Sequence, residues 1–128
     1  MPHIAIDYSA NLEDAVDFPA LCDLLRVTGI ETGVFPMAGI RVRAFRADHV
    51  SIADGDPRHG YIDISVRLRG GRAFEAKKAA TEKLFAAAQD FLAGVIAERP
   101  MALSMEMRDI DPELSPKLNT IRDHLKDG

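Results

Sequence analysis

Apolar and polar residues alternate in four stretches of this chain, and two longer stretches repeat their apolar residues at helical spacing. From His3 to Tyr8, Ile4, Ile6 and Tyr8 fall on one side and His3, Ala5 and Asp7 on the other, the period of a half-buried strand. Ser9 to Asp14 is polar and loop-like. Asp17 is placed to cap a helix with Pro19 in its first turn, where a missing N–H costs little. Leu21, Leu24 and Leu25 give that helix its apolar face, and Gly29 is its predicted stop. Residues 30–38 connect it to a second strand, Ile40 to about Val50, on which Arg41 and Arg43 share a face. The turn-rich loop 53–60 follows.

The order then repeats. Tyr61 to Arg69 alternates strictly, and Gly70 and Gly71 break it. A long helix is predicted over roughly Ala73 to Ala97, with Leu84, Phe85, Ala88, Phe91, Leu92 and Val95 as one stripe. Met101 to Arg108 alternates again. The chain therefore reads as one domain over 1–128, built from two βαβ units, 2–52 and 59–108. Each unit pairs its strands in parallel through a right-handed crossover. The fold class is α/β, an α+β two-layer sandwich with a four-stranded sheet and both helices on one face. Ala5, Ser65, Ala102 and Ser104 then line an uncovered face of small residues, which implies packing against other subunits. Leu114, Leu118, Ile121 and Leu125 predict a further C-terminal helix over about 112–126, with Pro112 and Pro116 confined to its start.

Composition narrows the function. A chain of 128 residues with 47% hydrophobic and 28% charged residues is ordinary for one soluble domain. A net charge of −4 gives no footprint for nucleic acid, and no apolar run is long enough for a membrane span. No basic and apolar leader opens the sequence, so a cytoplasmic protein is expected. The single cysteine, Cys22, rules out an intrachain disulfide and fits a small core position.

Two features carry chemistry. A small residue in second place favours removal of Met1, which would leave Pro2 as a free secondary amine at the head of a strand. An α-amino group has a reference pKa of about 7.7–8.0, and desolvation lowers it toward a useful acid–base range. With Met1 attached, the same nitrogen is a tertiary amide and has no basicity. Arg41 at a strand start and Arg72 after two glycines at a strand–helix junction offer planar forks for carboxylates. Singly, each of the three has an ordinary structural explanation: a strand-start proline and two surface arginines. Other candidates fail on spacing. Asp54, Asp56 and Asp63 do not fit a calcium loop, and His3, His49, His59 and His124 lack metal-ligand spacing. No phosphate loop or nucleophile elbow is present.

Met1-Pro2-His3, Thr32 to Pro36, Ala38 to Arg41, Ala53-Asp54-Gly55, Gly71-Arg72 and Ala102-Leu103-Ser104 closely resemble the 5-carboxymethyl-2-hydroxymuconate isomerase family of the tautomerase superfamily. The similarity runs in register over nearly the whole chain. It implies an isomerase of homoprotocatechuate (4-hydroxyphenylacetate) degradation that uses no metal and no organic cofactor. It also implies a homotrimer with the three sheets facing inward. By the same resemblance Pro2 moves the proton, and Arg41 and Arg72 hold and polarise a small polycarboxylate substrate. Another enol–keto tautomerase, of the phenylenolpyruvate kind, is the neighbouring reading. A non-catalytic ligand-binding module is the reading from another class.

Overall fold

The computed structural model describes residues 1–126; the last two residues of the expected domain lie outside that range. Strands β1 (His3–Ser9), β2 (Arg41–Ala47), β3 (Gly60–Arg69) and β4 (Met101–Ile110) form one sheet in the order β2-β1-β3-β4. β1 pairs in parallel with β2, and β3 in parallel with β4. The two halves meet antiparallel, with Ile6 opposite Ile64. Each parallel pair is joined by a helical crossover, α1 (Phe18–Glu31) in the first and α2 (Phe74–Phe91) with the short α3 (Ala93–Glu98) in the second.

Both crossovers lie on the face of the sheet that carries Ile4, Ile6 and Tyr8. Leu21 and Leu25 of α1 and Leu84, Ala88 and Leu92 of the second crossover close over Ile62, Ile64, Val66 and Leu68 in one core. Fully buried Ile or Leu side chains of this kind stabilise by about 1.5–3 kcal/mol each. On the opposite face Asp7, Asp63, Ala102 and Ser104 are exposed, and Phe45 is 57% exposed. Among the described residues, no layer covers that face.

Four expectations need correction. α1 does not stop at Gly29, which lies buried inside the helix. A Cβ there would sit 2.8 Å from Ile40 Cδ1, so this glycine serves close packing rather than termination. The terminating residues are Thr32, whose hydroxyl donates to the Gly29 carbonyl at 2.6 Å, and Gly33, in the left-handed region at φ 81°. β2 ends at Ala47, because Arg46 turns to pair with Asp48 at 2.7 Å and the chain leaves the sheet. The long second helix breaks at Leu92, which takes φ −93° and ψ 3°, two residues before the poor helix former Gly94. Phe91, assigned to its apolar stripe, is 39% exposed.

The largest difference is the tail. Instead of a helix over about 112–126, the chain after β4 is an extended strap with a single 3₁₀ turn, Ile121–His124. Pro112 and Pro116 withhold backbone donors. Asp111 takes the local bonds instead, accepting from Glu113 N at 2.9 Å and, through its carbonyl, from the Ser115 hydroxyl at 2.6 Å. Leu114 and Leu118 remain 80% and 89% exposed.

Candidate active site

The N-terminus enters the sheet between β2 and β3, and this sets the position of Pro2. Its side chain points to the helix-covered face and is buried, one step before Ile4 in the same row. The Pro2 carbonyl accepts the Arg41 N–H at 3.2 Å, which ties the first residues to the start of β2. Gly39 closes from the other side. A Cβ at Gly39 would lie 3.1 Å from Pro2 Cδ, so the pyrrolidine ring rests against bare backbone.

Above Pro2 is a pocket of about 150 Å³, with Val34, Pro36 and Gly39 on one wall and Leu68 on another. Arg69, Arg72, Lys117 and Arg122 supply its charge. Arg72 stands on the β3–α2 turn, after Gly71 at φ 105°, and its Nη1 donates to the Arg69 carbonyl at 3.1 Å. The remaining guanidinium donors stay available to the pocket. Met1 lines this pocket and also a smaller one of about 100 Å³ beside it, which shares Arg69 and Lys117. The Met1 side chain thus stands between the two cavities.

Of the three residues singled out from sequence, Pro2 and Arg72 line one cavity. Arg41 does not line it. It lies on the open face of the sheet beside His3, where its Nη1 donates to the Gly39 carbonyl at 3.1 Å and its Nη2 contacts Met1 Sδ at 3.3 Å. Its charge still reaches the N-terminus. The α-ammonium of Met1 is held below its ordinary pKa, first by burial, then by the cations Lys117, Arg41, Arg69 and Arg72.

The same field acts on His3. This residue sits in a cross-strand row with Arg41 on one side and Arg67 on the other, and Arg67 in turn faces Arg108. Arg43 Nη1 lies 2.9 Å from His3 Nδ1. Burial, then Arg43, Arg67 and Arg41, push the imidazole down to about 4, so it is neutral at pH 7. A neutral ring accepts the arginine N–H at Nδ1.

Lys117, Arg122 and Arg69 were not singled out from sequence. The leucine spacing of the tail predicts a helix, which draws attention away from its basic residues. The signal was present in the two prolines and in Asn119, a residue suited to capturing backbone outside a helix. Asn119 Nδ2 donates to the Ala38 carbonyl at 2.7 Å and contacts Met1 Sδ at 3.3 Å, which lays the strap across the N-terminus. Among the described residues no cluster of His, Cys, Asp or Glu could hold a metal ion.

A basic pocket over a strand-initial proline on a doubled βαβ scaffold can be compared with known proteins. The model of the family 5-carboxymethyl-2-hydroxymuconate isomerase matches residues 2–125. The chain belongs to this family. It is 32% identical over 121 residues to the 5-carboxymethyl-2-hydroxymuconate Delta-isomerase of Escherichia coli, covering 94% of this chain and 96% of the relative. A crystal structure of a 5-carboxymethyl-2-hydroxymuconate isomerase from Deinococcus radiodurans R1 superposes with a TM-score of 0.90 at 29% identity, covering 98% of this chain and 95% of that one. A wild-type fused 4-OT, solved as a symmetric trimer, shares the fold at 16% identity and a TM-score of 0.64, over 88% of this chain and 91% of that one. The protein is thus an isomerase of the 5-carboxymethyl-2-hydroxymuconate isomerase family on the tautomerase fold.

Proposed function

We propose that the protein converts 5-carboxymethyl-2-hydroxymuconate to its 2-oxo-3-ene isomer in homoprotocatechuate degradation, with the amine of Pro2 as the proton carrier. The observation that carries the reading is a buried proline at the floor of a pocket walled by cations. Once Met1 is removed, Pro2 nitrogen is a secondary amine in a site that disfavours its protonated form, by burial and by positive charge. As a neutral base it takes the proton of the 2-hydroxyl. The electron pair moves along the diene to form C2=O and C3=C4, and the prolinium returns a proton at C5. Formula and charge are conserved, and neither oxidant nor reductant is needed.

Negative charge builds on the substrate oxygen in the dienolate. Arg72, fixed to the Arg69 carbonyl, stabilises that charge without reorganising. Arg41 on the open face adds to the positive field that lowers the Met1 α-ammonium pKa, and the same field would act on a free Pro2 amine. The open face itself, with small and polar side chains and an exposed Phe45, fits a homotrimer in which the three sheets face inward. Trimeric assembly and a cytoplasmic location complete the reading. The test compares turnover of 5-carboxymethyl-2-hydroxymuconate with that of phenylenolpyruvate on protein verified to begin at Pro2. A kcat/KM at least about tenfold higher for the former is expected if charged groups select the substrate. The reverse order would assign the protein to another enol substrate.

A further inference from the structure

The four pocket cations stand apart from those that carry acidic partners elsewhere in the chain. Arg26, Arg46, Arg58, Lys77, Lys78 and Lys83 each have a carboxylate within 4.0 Å. Among the described residues, Arg69, Arg72, Lys117 and Arg122 have none within that distance, although they converge on one cavity. Glu75, Glu113 and Asp123, the acids nearest in sequence, make no ion pair with them within 4.0 Å, and the acids at the end of β4 are engaged elsewhere. Asp109 binds Lys77 at 3.1 Å, and Asp111 caps its own turn at Glu113 N. Like charges gathered without counter-ions repel one another, and an anion entering between them relieves that repulsion.

Two of the four come from the strap, and their positions are built. Asn119 lies between them in sequence and is bonded to the Ala38 carbonyl, on the loop that also supplies Gly39 to the Pro2 wall. Its Oδ1 accepts from Ile121 N at 2.8 Å, starting the turn that carries Arg122. Lys117 is the strongest of the charges felt by the N-terminal amine, ahead of Arg41, Arg69 and Arg72. A larger cleft of about 360 Å³ at the β2–β3 loop offers no such field. Its acids Asp48 and Asp56 are matched by Arg46 and Arg58.

We propose that the strap builds a carboxylate subsite: Lys117 and Arg122, held over the N-terminus by Asn119, bind a carboxylate of the substrate that Arg72 does not hold. The inference rests on the isomerase reading above for its substrate class, a molecule with three carboxylates. The strap is then a specificity element that selects tricarboxylates over smaller enols, with the proton transfer left to the pocket floor.

Binding decides this independently of turnover. The probes are tricarballylate, an unreactive tricarboxylate, and glutarate, a dicarboxylate, titrated calorimetrically into Pro2-terminated protein. Wild type is expected to prefer tricarballylate. Lys117→Met and Arg122→Met are expected to lose roughly tenfold each in tricarballylate affinity, the scale of a charge-assisted contact, with a much smaller loss for glutarate. Lys117→Arg should restore the preference, which separates lost charge from lost folding. Equal losses for both probes, unchanged tricarballylate affinity, or no binding by wild type would each overturn the subsite. Wild type that binds tricarballylate selectively but fails to isomerise 5-carboxymethyl-2-hydroxymuconate would sustain the subsite and overturn the activity.

Discussion

Asn119 Nδ2 donates a 2.7 Å hydrogen bond to the carbonyl of Ala38, joining the C-terminal strap to the loop that walls Pro2. Through this bond, residues 81 positions apart share control of one pocket. Asn119→Ala should cost only about 0.5–1.5 kcal/mol of stability, the net worth of an ordinary hydrogen bond. Its effect on KM should be several-fold, because Lys117 and Arg122 lose their fixed positions. Chemical denaturation beside steady-state kinetics checks the pair of outcomes; a kcat loss with KM unchanged would place Asn119 in another role.

Arg72→Ala removes the donor that the proposed mechanism directs at the developing oxyanion. The expected loss in kcat is about 10²- to 10³-fold, with the melting temperature little changed, because among the described residues the guanidinium makes a single hydrogen bond, to Arg69 O. Arg72→Lys should recover only part, since a point charge does not reproduce the planar fork.

Gly39→Ala tests the seat of the proline ring. The added methyl would meet Pro2 Cδ at 3.1 Å, a contact that must be relieved by a shift of a few tenths of an ångström. A stability loss of about 1 kcal/mol is expected, from overpacking. The larger response should be in kcat, because the ring that shifts carries the nitrogen proposed to move the proton. Kinetics and thermal unfolding on one sample read both.

The pH dependence of stability follows from His3. Its folded pKa is lowered from 6.5 to about 4, so between these values the unfolded chain binds more protons than the folded one. The stabilising contribution is present above pH 6.5 and is lost as pH falls through about 4. His3→Gln should flatten the stability-against-pH curve in that window. Denaturant midpoints from pH 4 to 7 on both proteins provide the check.

Much of the scaffold was legible because it rests on two periods. Ile4, Ile6 and Tyr8, then Ile62, Ile64 and Val66, alternate so strictly that a one-residue slip from the observed register would expose them. Asp17 and Pro19 marked the start of α1, and the Asp17 carboxylate does accept the Ala20 N–H at 3.0 Å. Gly29 misled because a glycine near a helix end has two uses, and only the proximity of Ile40 tells which applies. The strap misled for a related reason. Leucine spacing suits a helix, but Asp111, Ser115 and Asn119 offer the backbone better local partners. Pro2 and Arg72 were visible as residue types at special places. Lys117 and Arg122 were not, because their place beside Pro2 depends on a fold-back that no local pattern encodes.

The central claim is that the free amine of Pro2 carries the proton, and the most direct test varies the N-terminus itself. Samples prepared with differing extents of Met1 removal are weighed by intact-mass spectrometry and assayed with 5-carboxymethyl-2-hydroxymuconate. Activity should rise in proportion to the fraction of chains beginning at Pro2 and extrapolate to about the uncatalysed rate when that fraction is zero, a loss of about 10²-fold or more. Activity independent of that fraction would contradict the account, because a Met1-linked Pro2 nitrogen has no lone pair available for a proton.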